Sequence, residues 1–167
     1  MIDNLESERL ILEPISLKHV STAYLSWLND EDTIKYLVTK KGNTLKSLSN
    51  YIERHLEKKT VMYAIIIKEN KAHIGNIKID PINELDMSGE LGILVGDKNS
   101  WGKGYGRESC KLIIQHCFKN LHLTQINLGV DLNNKKAIKL YEKLGFKKYN
   151  FKSNRNKNNI RMFHRYG

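Results

Sequence analysis

The apolar positions of this chain change their period along its length, and the changes mark out elements. Arg9-Leu10-Ile11-Leu12-Glu13 reads as a short first strand that Pro14 stops. Ser16 can cap a helix to about Leu28, because Val20, Ala23, Tyr24, Trp27 and Leu28 recur at helical spacing. Thr44 can cap a second helix to about Glu57, with Leu45, Leu48, Ile52 and Leu56 on one face. The period then shortens. Residues 61–67 form a β-rich apolar run, Glu69-Asn70-Lys71 a turn, and residues 72–80 an alternating hairpin partner, followed by a loop at 80–86 that contains Pro81. Residues 90–96 read as a further strand, with Gly89, Gly92 and Gly96 in or beside it. Interior glycines of this kind mark a bulge or the close approach of another backbone or a ligand.

Helical spacing returns at residues 104–121, where Cys110, Ile113, Ile114, Cys117, Phe118 and Leu121 share a face. Residues 125–131 read as a strand, residues 133–144 as a helix ended by Gly145, and 146–151 and 159–166 as two final strands. The order β-αα-βββ-α-β-α-ββ predicts an α/β (α+β) chain: one mixed sheet with helices on its faces.

Composition narrows the class. A length of 167 residues suits one domain over 1–167, and 40% hydrophobic with 28% charged residues is an ordinary globular balance. No apolar run approaches the roughly 18 residues of a membrane span. The acidic start Met1-Ile2-Asp3-Asn4-Leu5-Glu6 has no apolar core, so it is not a secretory signal and a cytoplasmic protein is expected. Cys110 and Cys117 would lie about 10.5 Å apart along a helix, too far for a disulfide, so two buried reduced thiols are expected. The six histidines show no metal-ligand spacing, and no metal site is expected.

The formal charge of +10 changes the picture only once it is located. Basic and acidic residues balance through residue 132, and the whole excess lies beyond it, where Glu142 is the sole acid. Such asymmetry suits an anionic partner: nucleic acid, a membrane surface or a phosphorylated ligand. An AT-rich coding sequence gives the same excess, and Lys outnumbers Arg here by 22 to 6.

The most informative segment is Ser100-Trp101-Gly102-Lys103-Gly104-Tyr105-Gly106-Arg107, between a strand and a helix. Glycines on alternate positions let the backbone turn its N–H groups toward a ligand, and the helix start adds orphan donors and the positive end of its dipole. Together these predict a pyrophosphate cradle. A Walker A loop does not fit, because Gly96 precedes Gly102-Lys103 by one residue too many and Gly104 stands where a hydroxyl is needed. The spacing also departs from the dinucleotide fingerprint. Further on, Asn134 and Tyr141 lie seven apart on one helix face with Ala137 between them, so a ligand could run from an amide to a phenol.

In sequence order these two segments resemble the GNAT superfamily of acyl-CoA-dependent N-acetyltransferases. Trp101, Lys103, Gly104 and Gly106 match its pyrophosphate-loop motif, and Asn134, Ala137, Tyr141, Gly145 and Phe146 match its second motif. The Trp-Gly-Lys-Gly-Tyr form and the opening Ser7-Glu8-Arg9-Leu10 resemble the branch that acetylates ribosomal-protein N-termini, polyamines and amino sugars. The resemblance implies a mostly antiparallel sheet of six to seven strands with about four helices, splayed between the fourth and fifth strands. It implies acetyl-CoA in that splay, with pantetheine along Ile93, Leu94 and Val95. The pyrophosphate would lie on Gly102, Lys103, Gly104, Tyr105, Gly106 and Arg107, with Asn134 and Lys136 also facing the coenzyme.

In such a site an amine attacks the thioester directly. A free alkyl amine has a pKa near 10, so a base or a water chain must deprotonate it. A strand N–H near Val95 could stabilise the oxyanion, and Tyr141 could protonate the departing thiolate, unless Tyr141 is a packed aromatic with its hydroxyl bonded to backbone. The glutamate that some members carry on the fifth strand is Gly129 here. That leaves Glu90 as the candidate base, with Asp131 weaker, and Trp101 also departs from the motif's Gln/Arg. For the acceptor, Trp27, Asp30 and Glu31 near the end of the first helix would suit a cationic amine, or form a solvated helix end. The stretch resembles those of bacterial nucleotide-sugar N-acetyltransferases. The basic final hairpin (Lys147, Lys148, Lys152, Arg155, Lys157, Arg161, Arg165) would suit a nucleotide-linked sugar or an acidic macromolecule. The expected activity is acetyl transfer to a small amine or amino sugar. The alternatives are acetylation of protein N-termini, or a non-catalytic RNA-binding module using Tyr149, Phe151 and Phe163. Neither a membrane nor a nucleic-acid partner is the leading expectation, and exposed strands near the C-terminus are compatible with a homodimer.

Overall fold

A computed structural model describes residues 3–58, 60–149 and 158–167. The strands are β1 (Leu5–Glu6), β2 (Leu10–Pro14), β3 (Val61–Ile67), β4 (His73–Asn83), β5 (Ser88–Val95), β6 (Gln125–Asp131), β7 (Lys147–Lys148) and β8 (Asn159–Arg165). The helices are α1 (Thr22–Asn29), α2 (Glu31–Ile34), α3 (Leu45–Glu57), α4 (Tyr105–Lys119) and α5 (Lys135–Lys143). The strands form one eight-stranded sheet in the order β1-β2-β3-β4-β5-β6-β8-β7. Every neighbouring pair is antiparallel except β5 with β6.

Helices cover both faces. Every residue of β3 is buried, which explains why its sequence runs apolar instead of alternating. On one face Leu10, Leu12, Ile65, Ile77 and Leu91 meet Cys110, Ile113 and Ile114 of α4 and Ile138 and Tyr141 of α5. On the other, Met62, Ala64 and Ile66 meet Tyr24 and Trp27 of α1 and Leu48 and Ile52 of α3. Cys110 and Cys117 are buried free thiols, and burial pushes both up to about 12.

The departures from expectation have local causes. The first helix does not start at Ser16, because the Ser16 N–H donates to His19 Nδ1 at 3.0 Å and closes a single 3-10 turn. Val20 is then extended, and Ser21 caps α1 by accepting from the Tyr24 N–H at 3.1 Å. The expected loop at 80–86 is largely strand. The β4–β5 register shifts between Ile79 and Ile82, so Asp80 and Pro81 together stand opposite Glu90. A proline without an N–H is tolerated at such a bulge. The eighth strand is the short β1, which pairs Leu5 with Leu12 and Glu6 with Ile11. Of the expected strand at 146–151, Lys147 and Lys148 pair with β8, while Phe151, Lys152, Arg155 and Lys157 lie outside the described residues.

Candidate active site

The parallel pair β5–β6 is short. Ser88, Gly89 and Glu90 pair with Gln125, Ile126 and Asn127, and there the pairing stops. Beyond it β5 pairs only with β4, and β6 only with β8. The two strands therefore open into a V with Glu90 at its apex, between the expected fourth and fifth strands once β1 is added to the count. One edge of Leu91 to Val95 faces this opening. The Gly96 N–H donates to Ile74 of β4 at 2.9 Å, and the Leu94 carbonyl also faces β4, lying 2.1 Å from where a Gly75 Cβ would be. Backbone direction alternates along a strand, so Ile93 and Val95 turn their N–H and C=O groups into the V, while Leu94 turns its own toward β4. The Val95 carbonyl accepts from Trp101 Nε1 at 2.7 Å. The departure from Gln/Arg at position 101 thus ties the next loop to the end of β5.

That loop is built as the glycines predict. Gly102 and Gly104 have φ of +75° and +85°, and Gly104 is the N-cap of α4. No backbone N–H from Gly102 to Arg107 donates a hydrogen bond within the described residues. Six consecutive unpaired donors at the start of a 15-residue helix fit a diphosphate. The loop is held from behind. The Arg9 Nη1 donates to the Lys103 carbonyl at 3.0 Å, its guanidinium lies 4.7 Å from the Tyr105 ring centre, and its Nε donates to Glu108 at 2.8 Å. Ser7 donates to the same carboxylate at 2.8 Å. Burial opposes ionisation of Glu108, but the bonds from Ser7 and Arg9 outweigh it and hold the carboxyl below its ordinary range. The Ser7-Glu8-Arg9-Leu10 motif is therefore the buttress of the cradle, a role its own sequence could not show because its partners lie some hundred residues away.

On α5, Tyr141 is buried and meets Phe146 edge-on at 5.7 Å. It is thus a packed aromatic, but its hydroxyl makes no hydrogen bond within the described residues. Burial raises its pKa, so the phenol stays protonated. The Asn134 side-chain oxygen is spent capping α5, where it accepts from the Ala137 N–H at 3.2 Å, so only its NH₂ is left to face a ligand. Lys136 is exposed on the first turn of that helix.

Glu90 is held by Arg161 of β8. Arg161 Nη2 donates to Glu90 Oε2 at 2.7 Å, and Nη1 pairs closely with Oε1. The same Nη1 lies 3.4 Å from where a Cβ of Gly129 would be. The arginine therefore occupies the space of the missing fifth-strand glutamate. In the sequence Arg161 stands only as one cation of a basic hairpin. Asp131 sits at the end of β6 and accepts from the Asn133 N–H at 2.8 Å.

A cavity of about 340 Å³ opens on the other side of β5, under α1 and α3. Its floor is Gly92, Ile93 and Leu94, and Tyr24, Asn43, Tyr51, Arg54, Asn76 and Lys78 are among its walls. The structure brings none of Trp27, Asp30 and Glu31 to it. Trp27 is instead buried against the end of β5, where a Cβ on Gly96 would lie 2.2 Å from its ring. Asp30 caps α2 and shares Lys98 with Asp32, at 2.8 and 2.9 Å, and the Lys98 ammonium holds the Asp30 carboxyl down to about 2. Glu31 pairs with Lys41. The acids near the end of the first helix are a salt-bridged surface.

A V-split sheet with a glycine-nest cradle at one strand end and a cavity behind it can hold a diphosphate-bearing ligand next to a second molecule. The acetyltransferase (GNAT) domain family matches residues 9–147, and the chain belongs to that family. It is 28% identical over 151 residues to an uncharacterised N-acetyltransferase, p20, of Bacillus licheniformis, covering 88% of this chain and 84% of that protein. It is 25% identical over 118 residues to the spermidine N(1)-acetyltransferase of Vibrio cholerae, covering 71% and 68% of the two chains. A crystal structure of spermidine N-acetyltransferase from Vibrio cholerae with CoA and spermine superposes with a TM-score of 0.82 at 22% identity, over 95% of this chain and 96% of that one. The chain is an acetyl-CoA-dependent N-acetyltransferase. No helix of the described residues is long and apolar enough to cross a membrane.

Proposed function

We propose that this enzyme acetylates the primary amine of a small molecule, an amino sugar or another small amine, in one direct step. The observation that carries this reading is the shared floor. Gly92 to Leu94 line the cavity on one side, and the same strand bounds the V on the other. An acceptor in the cavity and a thioester in the V would meet across that strand. When bound, acetyl-CoA supplies the activated acyl group. The unpaired N–H groups of Gly102 to Arg107 would hold its pyrophosphate. The Ile93 and Val95 N–H groups are the donors aimed at the opening, where one of them can bond the oxygen on which charge develops.

Tyr141 would give its proton to the departing thiolate, since its raised pKa keeps that proton available at neutral pH. Glu90 would take the proton from the acceptor amine. The Arg161 fork uses two of the roughly four lone-pair sites of the carboxylate and leaves the others to accept that proton. Relatives named for spermidine support a small amine as substrate. The test is free-thiol release from acetyl-CoA across polyamines, aminoglycosides, amino sugars, their nucleotide conjugates and N-terminal peptides. The expected result is turnover with a small amine. Turnover confined to peptides would overturn it.

A further inference from the structure

Among the described residues, the acceptor cavity is lined by two cations, Arg54 and Lys78, and by no carboxylate. A polyamine site needs the opposite lining, because each buried ammonium requires an anion or several acceptors. A second cavity of about 220 Å³ adjoins the first, sharing Tyr51, Arg54 and Lys78 and adding His55, Lys58 and Asp80. Asp80 is its only acid among the described residues, and it is engaged by Lys78 at 3.3 Å. Neither Arg54 nor Lys58 has an acidic partner within the described residues. His55 is held neutral by burial, with its Nδ1 against the Thr60 hydroxyl at 2.6 Å, so it adds no charge. Three cations against one carboxylate leave a surplus that matches a phosphoryl group, which carries about −1.5 to −2 at neutral pH.

Asn76 supplies an independent sign. It is buried, it lines the larger cavity, and its Nδ2 has no hydrogen-bond partner. Its orientation follows from His73, whose Nε2 lies 3.0 Å from the Gly75 carbonyl and 3.1 Å from Asn76 Oδ1. A carbonyl only accepts, so Nε2 carries the proton and the atom of Asn76 facing it is the oxygen. The amide nitrogen is left as an unused buried donor, which an acceptor-rich ligand would satisfy.

Resting on the acetyltransferase reading, we propose that the acceptor is a phosphorylated amine. Arg54, Lys58 and Lys78 hold its phosphoryl group at the junction of the two cavities, and its amine lies over Gly92 to Leu94. The guanidinium of Arg54 offers the forked donors that phosphate takes, while Lys58 and Lys78 act as point charges.

The test has two stages that fail separately. Calorimetric titration with acetyl-CoA alone reads the acetyltransferase assignment. CoA-saturated protein is then titrated with glucosamine, glucosamine 6-phosphate, UDP-glucosamine, glutamate and spermidine, with a parallel series on coenzyme-free protein. One of the two phosphorylated sugars should bind at least about tenfold tighter than the other three, a gap of ~1.4 kcal/mol. Which of them binds tells a monoester from a nucleotide diphosphate. Arg54→Gln should erase the preference, and the exposed variant Lys58→Gln should reduce it. Equal binding of glucosamine and its phosphorylated forms, binding of spermidine or glutamate at least as tight, or a preference that survives both substitutions would overturn the proposal.

Discussion

Gly104→Val is the sharpest test of the cradle, because its two effects can be separated. At φ +85° the backbone is in the left-handed region, which costs an L-residue roughly 1–2 kcal/mol and is least tolerated by a β-branched side chain. If the loop keeps its shape, the coenzyme-free protein should melt lower by about 2–8 °C, given ~2–4 °C per kcal/mol for a domain this size. If the loop instead relaxes to negative φ, the N–H groups around Gly104 turn out of the nest. Each charge-assisted bond lost is worth about 1.5–3 kcal/mol, so one of them weakens acetyl-CoA by roughly 10- to 100-fold. The added side chain also starts 3.4 Å from Arg9 Nη2 and disturbs the buttress.

Thermal unfolding with and without coenzyme reads both effects. At 100 times its Kd, acetyl-CoA should stabilise the wild type by ~2.7 kcal/mol. For a variant bound a hundredfold more weakly, the same concentration equals the Kd and stabilises by only ~0.4 kcal/mol. A variant whose coenzyme-induced shift matches that of the wild type would refute the assignment of the nest, whatever its melting point.

The proposed acid and base give two further tests. Tyr141→Phe deletes a hydroxyl that bonds nothing within the described residues, so it should leave the melting point near that of the wild type and lower kcat by roughly 10²- to 10⁴-fold, with little change in KM for acetyl-CoA. Wild-type turnover in that variant would remove Tyr141 as the acid. Glu90→Gln should flatten the acidic limb of the kcat/KM–pH profile, because the base that must be ionised is gone; a limb that persists would assign deprotonation to a water chain.

What the sequence made legible was local. The Gly-rich loop and the Asn134–Tyr141 spacing are features of single segments, and each element carries its own period, so the order of strands and helices could be read. What stayed hidden was pairing across the chain. The Arg9–Glu108 buttress joins residues some hundred positions apart, and the Glu90–Arg161 fork reaches from β8 to β5 across β6, which is possible only because β8 folds back beside β6. Nothing local to either partner signals such a pair. The first-helix acids have partners hidden in the same way. Asp30 and Glu31 look available in sequence, but Lys98 and Lys41 reach them in space.

The charge of the chain illustrates the same separation between sequence and space. The C-terminal excess looked like the natural seat of an anion site, yet the structure uses part of it internally. Arg161 is committed to Glu90, Lys148 pairs with Glu142 at 2.8 Å, and Arg165 donates to Gln125 at 2.8 Å. The cations that line the cavity under α1 and α3, Arg54 and Lys78, come from the first 132 residues, over which basic and acidic residues balance. Among the described residues only Asp80, which Lys78 engages at 3.3 Å, balances them there, and Arg54 has no acidic partner. Net charge over a segment adds residues that never meet, whereas the potential inside a cavity falls off with distance and is set by the few groups lining its wall. The clue to the substrate is therefore the composition of one wall, donor-rich and, among the described residues, free of carboxylates, and not the +10 of the whole chain.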